Sequence, residues 1–107
     1  MSTRLPGVRY GSIFDRGRSV KGRLLVGWHL ASPSGGRLAG VVVAKKTFHD
    51  AVERNRAKRL MREAYRLLVK EGLVPEGVDW VFVARRAIAG KTCGEVMEEM
   101  RRVCARC

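Results

Sequence analysis

The residues with the most distinctive chemistry lie in one run between positions 54 and 70. Its basic and amide side chains are Arg54, Asn55, Arg56, Lys58, Arg59, Arg62, Arg66 and Lys70. Arginine presents a planar fork of donors that can bind two phosphate oxygens at once, so these residue types suit a polyanion. Bond cleavage would instead require a positioned base, a nucleophile or a metal cage. The acids are few and scattered, and no Gly-rich phosphate loop is present, so no catalytic residue is expected.

On a helix with 100° between residues, positions 51–70 divide into two faces. The apolar face consists of Ala57, Leu60, Met61, Ala64, Leu67 and Leu68. On the opposite face, Lys58 and Arg62, and Arg62 and Arg66, are like charges four residues apart, and Glu63 is the one acid nearby. Each such pair destabilises an isolated helix by about 0.2–0.5 kcal/mol, and bound phosphate would reverse that repulsion. The pattern favours nucleic-acid binding, with a solvated or membrane-facing surface as the alternative.

The whole chain has the same charge bias. Its 107 residues include 22 Lys and Arg against 10 Asp and Glu, which gives a formal net charge of +12. Lys45 and Lys46 add to the charge just before the basic run. No apolar stretch approaches the roughly 20 residues of a membrane span, and Arg4, Arg9 and Arg16 interrupt any signal-peptide pattern. A cytoplasmic protein is therefore expected.

The aromatic residues near the N-terminus are a second candidate site. Tyr10 and Phe14 are four residues apart on a predicted helix, and Trp28 lies on a predicted strand near Arg23. Aromatic rings beside cations suit stacking on unpaired bases. The spacing alone leaves a base-stacking role and a core role equally open, and it does not assign Trp28 to either face of a sheet.

The remaining reactive residues favour structural interpretations. An odd number of cysteines, Cys93, Cys104 and Cys107, argues against a disulfide framework, and no metal site is expected. Glu98 and Glu99 are interpreted as solvated surface on the last helix.

The predicted elements are a helix over 9–16, strands over 23–30 and 38–44, a helix over 51–70, a strand over 79–85 and a helix over 92–102. Gly17 is predicted to end the first helix in a left-handed conformation, and Asp50 to cap the second. Residues 1–8 are interpreted as a loose basic arm. Strands interleaved with helices in one short domain indicate a two-layer α/β sandwich.

Residues 54–66 read Arg-Asn-Arg-Ala-Lys-Arg-Leu-Met-Arg-Glu-Ala-Tyr-Arg. This run resembles the signature of the bacterial ribonuclease P protein family. The resemblance extends over roughly residues 4–103, through Tyr10-x-x-Ile-Phe14, the strand that leads into Lys45-Lys46, and residues 79–85. The chain departs from the family pattern at a few positions, namely Leu38, Ala44, His49 and Asp50.

The resemblance implies a four-stranded sheet with three helices, like the second domain of a small-subunit ribosomal protein, with a left-handed βαβ crossover. It also implies a subunit that helps a catalytic RNA to remove the 5′ leader of precursor tRNA. In that family the partner RNA holds the Mg²⁺ ions that catalyse hydrolysis. No obligate protein partner is expected.

Carried over by position, the residues expected to contact the catalytic RNA are Lys45, Lys46, Arg54, Asn55, Arg56, Lys58, Arg59, Arg62 and Arg66. Those expected to line a leader-binding cleft are Tyr10, Phe14, Arg23 and Trp28. The competing interpretations are a stand-alone RNA-binding or ribosome-associated module and, less favoured, a basic DNA-binding protein.

Overall fold

A computed structural model describes residues 4–106 of the chain. The elements in order are α1 (Val8–Arg16), β1 (Arg18–Lys21), β2 (Leu25–Ala31), β3 (Ala39–Val42), α2 (Ala51–Lys70), β4 (Val78–Ala84), a short 3-10 turn (Arg86–Ile88) and α3 (Cys93–Ala105). Within the described residues, no helix is both long enough and apolar enough to cross a membrane.

The four strands form one mixed sheet in the order β1-β2-β4-β3. β1 pairs antiparallel with β2, and β2 pairs antiparallel with β4. β3 and β4 are parallel neighbours, and α2 connects them. The predicted α/β class, the four strands and the three helices are confirmed.

Helices α2 and α3 pack on one face of the sheet and enclose the main core. Trp80 and Phe82 of β4 point into this core, and their stacked rings have centroids 5.4 Å apart. Helix α1 lies on the opposite face, where Ile13 packs with Val81 in a smaller cluster. Because several side chains of that face are only half-buried, α1 covers part of it and leaves the rest accessible.

The start of α2 agrees with the prediction. The Asp50 side chain accepts a hydrogen bond of 2.8 Å from the backbone N–H of Val52, which satisfies a donor that the first turn leaves unpaired. At the other end Gly72 has φ +73°, a conformation that favours glycine. These local signals explain why both ends of α2 can be predicted from the sequence.

Two local predictions are wrong or incomplete. Gly17 does end α1, but in an extended conformation with φ −79°, not a left-handed one. A glycine is required there because a Cβ would lie 2.4 Å from the Ile13 carbonyl oxygen and 2.6 Å from that of His29. The predicted loose arm falls partly outside the described residues. Within it, Leu5 is buried and its N–H donates to the Ala39 carbonyl at 2.9 Å, so this part is docked on β3.

Candidate nucleic-acid interface

The basic face of α2 is exposed because the apolar face of the helix packs into the core. Ala57, Met61, Ala64, Tyr65 and Leu68 are buried against the sheet and α3. The opposite side is left to solvent. The exposed basic and amide residues between positions 55 and 66 are Asn55, Arg56, Arg59, Arg62 and Arg66, with Lys58 half-buried. We call these six residues the α2 surface.

Arg59, Arg62 and Arg66 line a hollow of about 510 Å³ together with Ala39 of β3 and Arg4. Arg66 is held by Glu63, since its Nη2 lies 2.5 Å from Glu63 Oε1. This hydrogen bond lowers the pKa of the Glu63 carboxyl below its ordinary value. Within residues 4–106, Arg59 and Arg62 have no acidic partner, so their charge is available to a ligand. The sequence did not indicate that Arg4 would join this hollow.

Arg54 is oriented differently from the rest of the run. Its Nη1 donates to the carbonyls of Phe48 and His49, both at 2.8 Å, and holds the segment that leads into α2. Arg56 donates from Nη2 to the Lys91 carbonyl at 3.4 Å. Arg54 therefore stabilises the start of the helix through Nη1, and its other guanidinium nitrogens are not used in these two hydrogen bonds. Lys45 and Lys46 are exposed in the segment after β3.

Three of the four residues predicted for a cleft come together on the α1 side of the sheet. The Phe14 and Trp28 rings meet edge to face, with centroids 5.6 Å apart. Tyr10 lies over Gly40, where an added Cβ would be 2.2 Å from its hydroxyl oxygen. Glycine at position 40 thus makes room for the Tyr10 ring. We call Tyr10, Phe14 and Trp28, with the uncovered sheet beside them, the α1 face.

The strand register defines the uncovered part of this face. One row across the sheet pairs Lys21 with Val26, Val26 with Val83, and Val83 with Val42. The three valines of this row are half-buried, so their outer surfaces are accessible. The α1 face is therefore a shallow apolar surface, with an aromatic pair along one side and a lysine at one end.

Arg23 is not part of that arrangement. It lies in the turn between β1 and β2, where it lines hollows with Thr92, which caps α3, and with Arg102 of α3. Glu99, which lines both hollows with Arg23, was expected to be solvated, and this is wrong. Glu99 is 7% exposed, and its carboxylate accepts a hydrogen bond from the Leu24 backbone N–H. Glu99 is one of three glutamates in α3, and nothing in the sequence distinguishes it as the one that makes such a contact.

The described residues contain no group of three or more His, Cys, Asp or Glu side chains placed to hold a metal ion. Cys93 is half-buried with a free thiol, and Cys104 is buried. Cys107 lies outside the described residues. Burial raises the pKa of the Cys93 thiol, which disfavours the reactive thiolate. The arrangement as a whole can bind anions and stack rings.

Comparison with known proteins gives one consistent result. Residues 7–107 match the model of the family described as Ribonuclease P. A "Ribonuclease P protein component" of Pelotomaculum thermopropionicum is 40% identical over 97 residues, which cover 91% of this chain and 84% of that relative. One of Exiguobacterium sp. is 39% identical and is covered to 79%. The structure of an RNase P protein from Thermotoga maritima is similar with a TM-score of 0.83 at 27% identity, covering 97% of this chain and 96% of the other.

Proposed function

Because this chain belongs to the ribonuclease P protein family, we propose that it binds the catalytic RNA of ribonuclease P and the 5′ leader of precursor tRNA. In this role it aids endonucleolytic removal of the leader in the cytoplasm, and the bond-breaking chemistry belongs to the RNA. The observation that carries the RNA-binding role is the α2 surface, where exposed Arg59 and Arg62 have no acidic partner among residues 4–106.

The α2 surface is suited to the phosphate backbone of the catalytic RNA. Its arginines can each engage phosphate oxygens through paired donors, and phosphate removes the mutual repulsion of the helix face. The partially enclosed hollow beside β3 offers one recess of about 510 Å³ for such a contact. Lys45 and Lys46 extend the same charge toward the start of the helix.

The α1 face is suited to an unpaired strand. Phe14 is 38% exposed and rests on Trp28, so a base can stack against this pair without displacing the core. The α2 surface and the α1 face belong to elements on opposite sides of the sheet. One molecule can therefore hold two RNA segments at the same time, the catalytic RNA on one side and the leader on the other.

Mg²⁺ is the metal that this family implies. The ion prefers carboxylate and other oxygen ligands, and it is usually held by one or two carboxylates together with substrate phosphates. The described acids of this chain are engaged or scattered among cations, and no three of them gather into a site. The donor set of these residues does not fit the ion. We assign the ion to the RNA.

The double variant Arg59→Ala/Arg62→Ala tests the RNA-binding role. Each phosphate contact contributes about 0.7–0.9 to the slope of log K against log salt concentration, so the slope should fall by up to about 2. The measurement is a salt titration of binding to the catalytic RNA.

A matched control is Arg37→Ala/Arg101→Ala, which removes the same charge from arginines that are paired with Glu76 and Glu98. Its salt slope should stay close to that of the unchanged protein. An unchanged salt slope in the Arg59 and Arg62 variant would show that the α2 surface is not part of the RNA interface.

A further inference from the structure

A second group of basic side chains meets where the turn between β1 and β2 approaches α3 and the end of β4. Its members are Lys21, Arg23, Arg85, Arg102 and Arg106, all exposed, and we call them the hairpin surface. They line one open hollow of about 710 Å³. Neither the α2 surface nor the α1 aromatic residues contribute to its lining.

The turn that carries Arg23 is held from two sides. On one side is Arg85, the residue after β4: its Nη1 donates to the Gly22 carbonyl at 2.9 Å, and its backbone N–H donates to the Leu24 carbonyl at 2.9 Å. From α3, the Glu99 carboxylate accepts the Leu24 N–H. The backbone of this surface is therefore organised before any ligand arrives, which lowers the entropy lost on binding.

The hollow has an excess of positive charge. Glu99 is the one acid in its lining, and it is buried and engaged by Leu24. Glu95 and Glu98 line the adjoining hollow, but they are bonded to the Thr92 N–H and to Arg101. Within residues 4–106, the basic side chains of the hairpin surface form no ion pair. Like charges gathered in this way repel one another unless a polyanion binds them.

The lining also indicates which form of polyanion fits. Among the described residues, no aromatic side chain lines the hollow, so it offers no ring on which an unpaired base could stack. Arginine and lysine without aromatic partners contact phosphate and sugar, which is how base-paired RNA is recognised, largely by shape. We propose that the hairpin surface binds the phosphate backbone of a base-paired RNA segment, an inference that rests on the proposed role as an RNA-binding subunit.

The test compares Arg23→Gln/Arg102→Gln with the control Arg37→Gln/Arg101→Gln. Arg101 neighbours Arg102 on α3 but is paired with Glu98, and both variants lose the same charge. The probes are an RNA duplex of about 16 base pairs and single-stranded oligouridine of the same length. Binding is followed by fluorescence anisotropy over a range of salt concentrations, and thermal melting by circular dichroism checks that each variant folds.

The proposal expects the Arg23 and Arg102 variant to bind the duplex several-fold more weakly, with a salt slope lower by about 1–2. Oligouridine binding should change no more than in the control. An equal loss in the control would show a general effect of charge and overturn the proposal. So would an unchanged duplex affinity, or an equal loss for the single strand. Because the α2 surface is intact in both variants, failure here leaves the Arg59 and Arg62 result unaffected.

Discussion

The contact between Phe14 and Trp28 determines whether these two rings belong to the core or to a binding surface. From the sequence, either ring was as consistent with a core as with a binding surface. The strand register places Trp28 opposite Val81, on the same side of the sheet as Ile13 of α1. Phe14 then meets Trp28 edge to face and stays 38% exposed. The pair is partly packing and partly surface, so its loss should affect binding more than folding.

Phe14→Ala tests this assignment. Base–aromatic stacking contributes about 1–3 kcal/mol, so we expect at least about fivefold weaker binding of leader-bearing precursor tRNA. Binding of mature tRNA should change little. Val8→Ala, at an 88% exposed position of the same helix, is the control. Equal losses for the two RNAs would mean that Phe14 has no role specific to the leader.

Tyr65 gives a prediction about pH. Its hydroxyl donates to the Arg37 carbonyl at 3.0 Å, and burial raises the pKa of the phenol above its ordinary value. A raised pKa in the folded state favours the neutral phenol there. The associated stability is complete below the unfolded pKa of about 10 and is lost as the pH rises above it.

The variant Tyr65→Phe has no group to titrate at this position. At about pH 8 it should be less stable than the unchanged protein by about 1 kcal/mol, because the hydrogen bond is gone. Above about pH 10 the difference should shrink, because only the unchanged protein loses stability through this group. Urea unfolding of both proteins at several pH values measures the difference. A gap that stays constant across the range would contradict the assignment.

At the scale of elements, α2 was the easiest to predict and β1 the hardest. The two faces of α2 follow from residues that are close in sequence, and Asp50 supplies a local start signal. β1 has four residues, and Val20 is the one buried among them. Its existence depends on pairing with β2, from Arg18 opposite His29 to Lys21 opposite Val26. No periodicity within four residues can report such a pairing.

The β1–β2 hairpin depends on α3 through Glu99. In Glu99→Ala the Leu24 N–H loses its acceptor, so the free energy of unfolding should fall by about 1–3 kcal/mol. Glu98→Ala is the matched control, because Glu98 pairs with Arg101 at the surface, and it should cost less than about 1 kcal/mol. Denaturant unfolding compares the two. Similar losses in both variants would mean that Glu99 does not hold the hairpin.

At the scale of the whole molecule, the α2 surface and the hairpin surface differ in how far the sequence could reveal them. Arg59, Arg62 and Arg66 share one helix, so a helical projection predicted their common face. Arg23 was grouped with Tyr10 by analogy, yet the fold carries its turn to α3. The hairpin surface spans positions 21 to 106. Residues so distant in sequence meet only through tertiary packing, which local patterns do not report.

The sheet separates the α2 surface from the α1 face. α2 and α3 occupy one face, and α1 occupies part of the other, so an RNA on the α2 surface does not obstruct the α1 face. A formal net charge of +12 favours a polyanionic partner. Under the proposed function, the local side chains then determine whether phosphate or an unpaired base is contacted.

The most direct test of the central claim is reconstitution with the cognate catalytic RNA. Cleavage of precursor tRNA is measured at a Mg²⁺ concentration at which that RNA alone is slow. Release of the 5′ leader is expected to be faster with this protein, and the gain is expected to be smaller with Arg59→Ala/Arg62→Ala. Cleavage no faster with the protein than without it would contradict the claim and favour a stand-alone RNA-binding module.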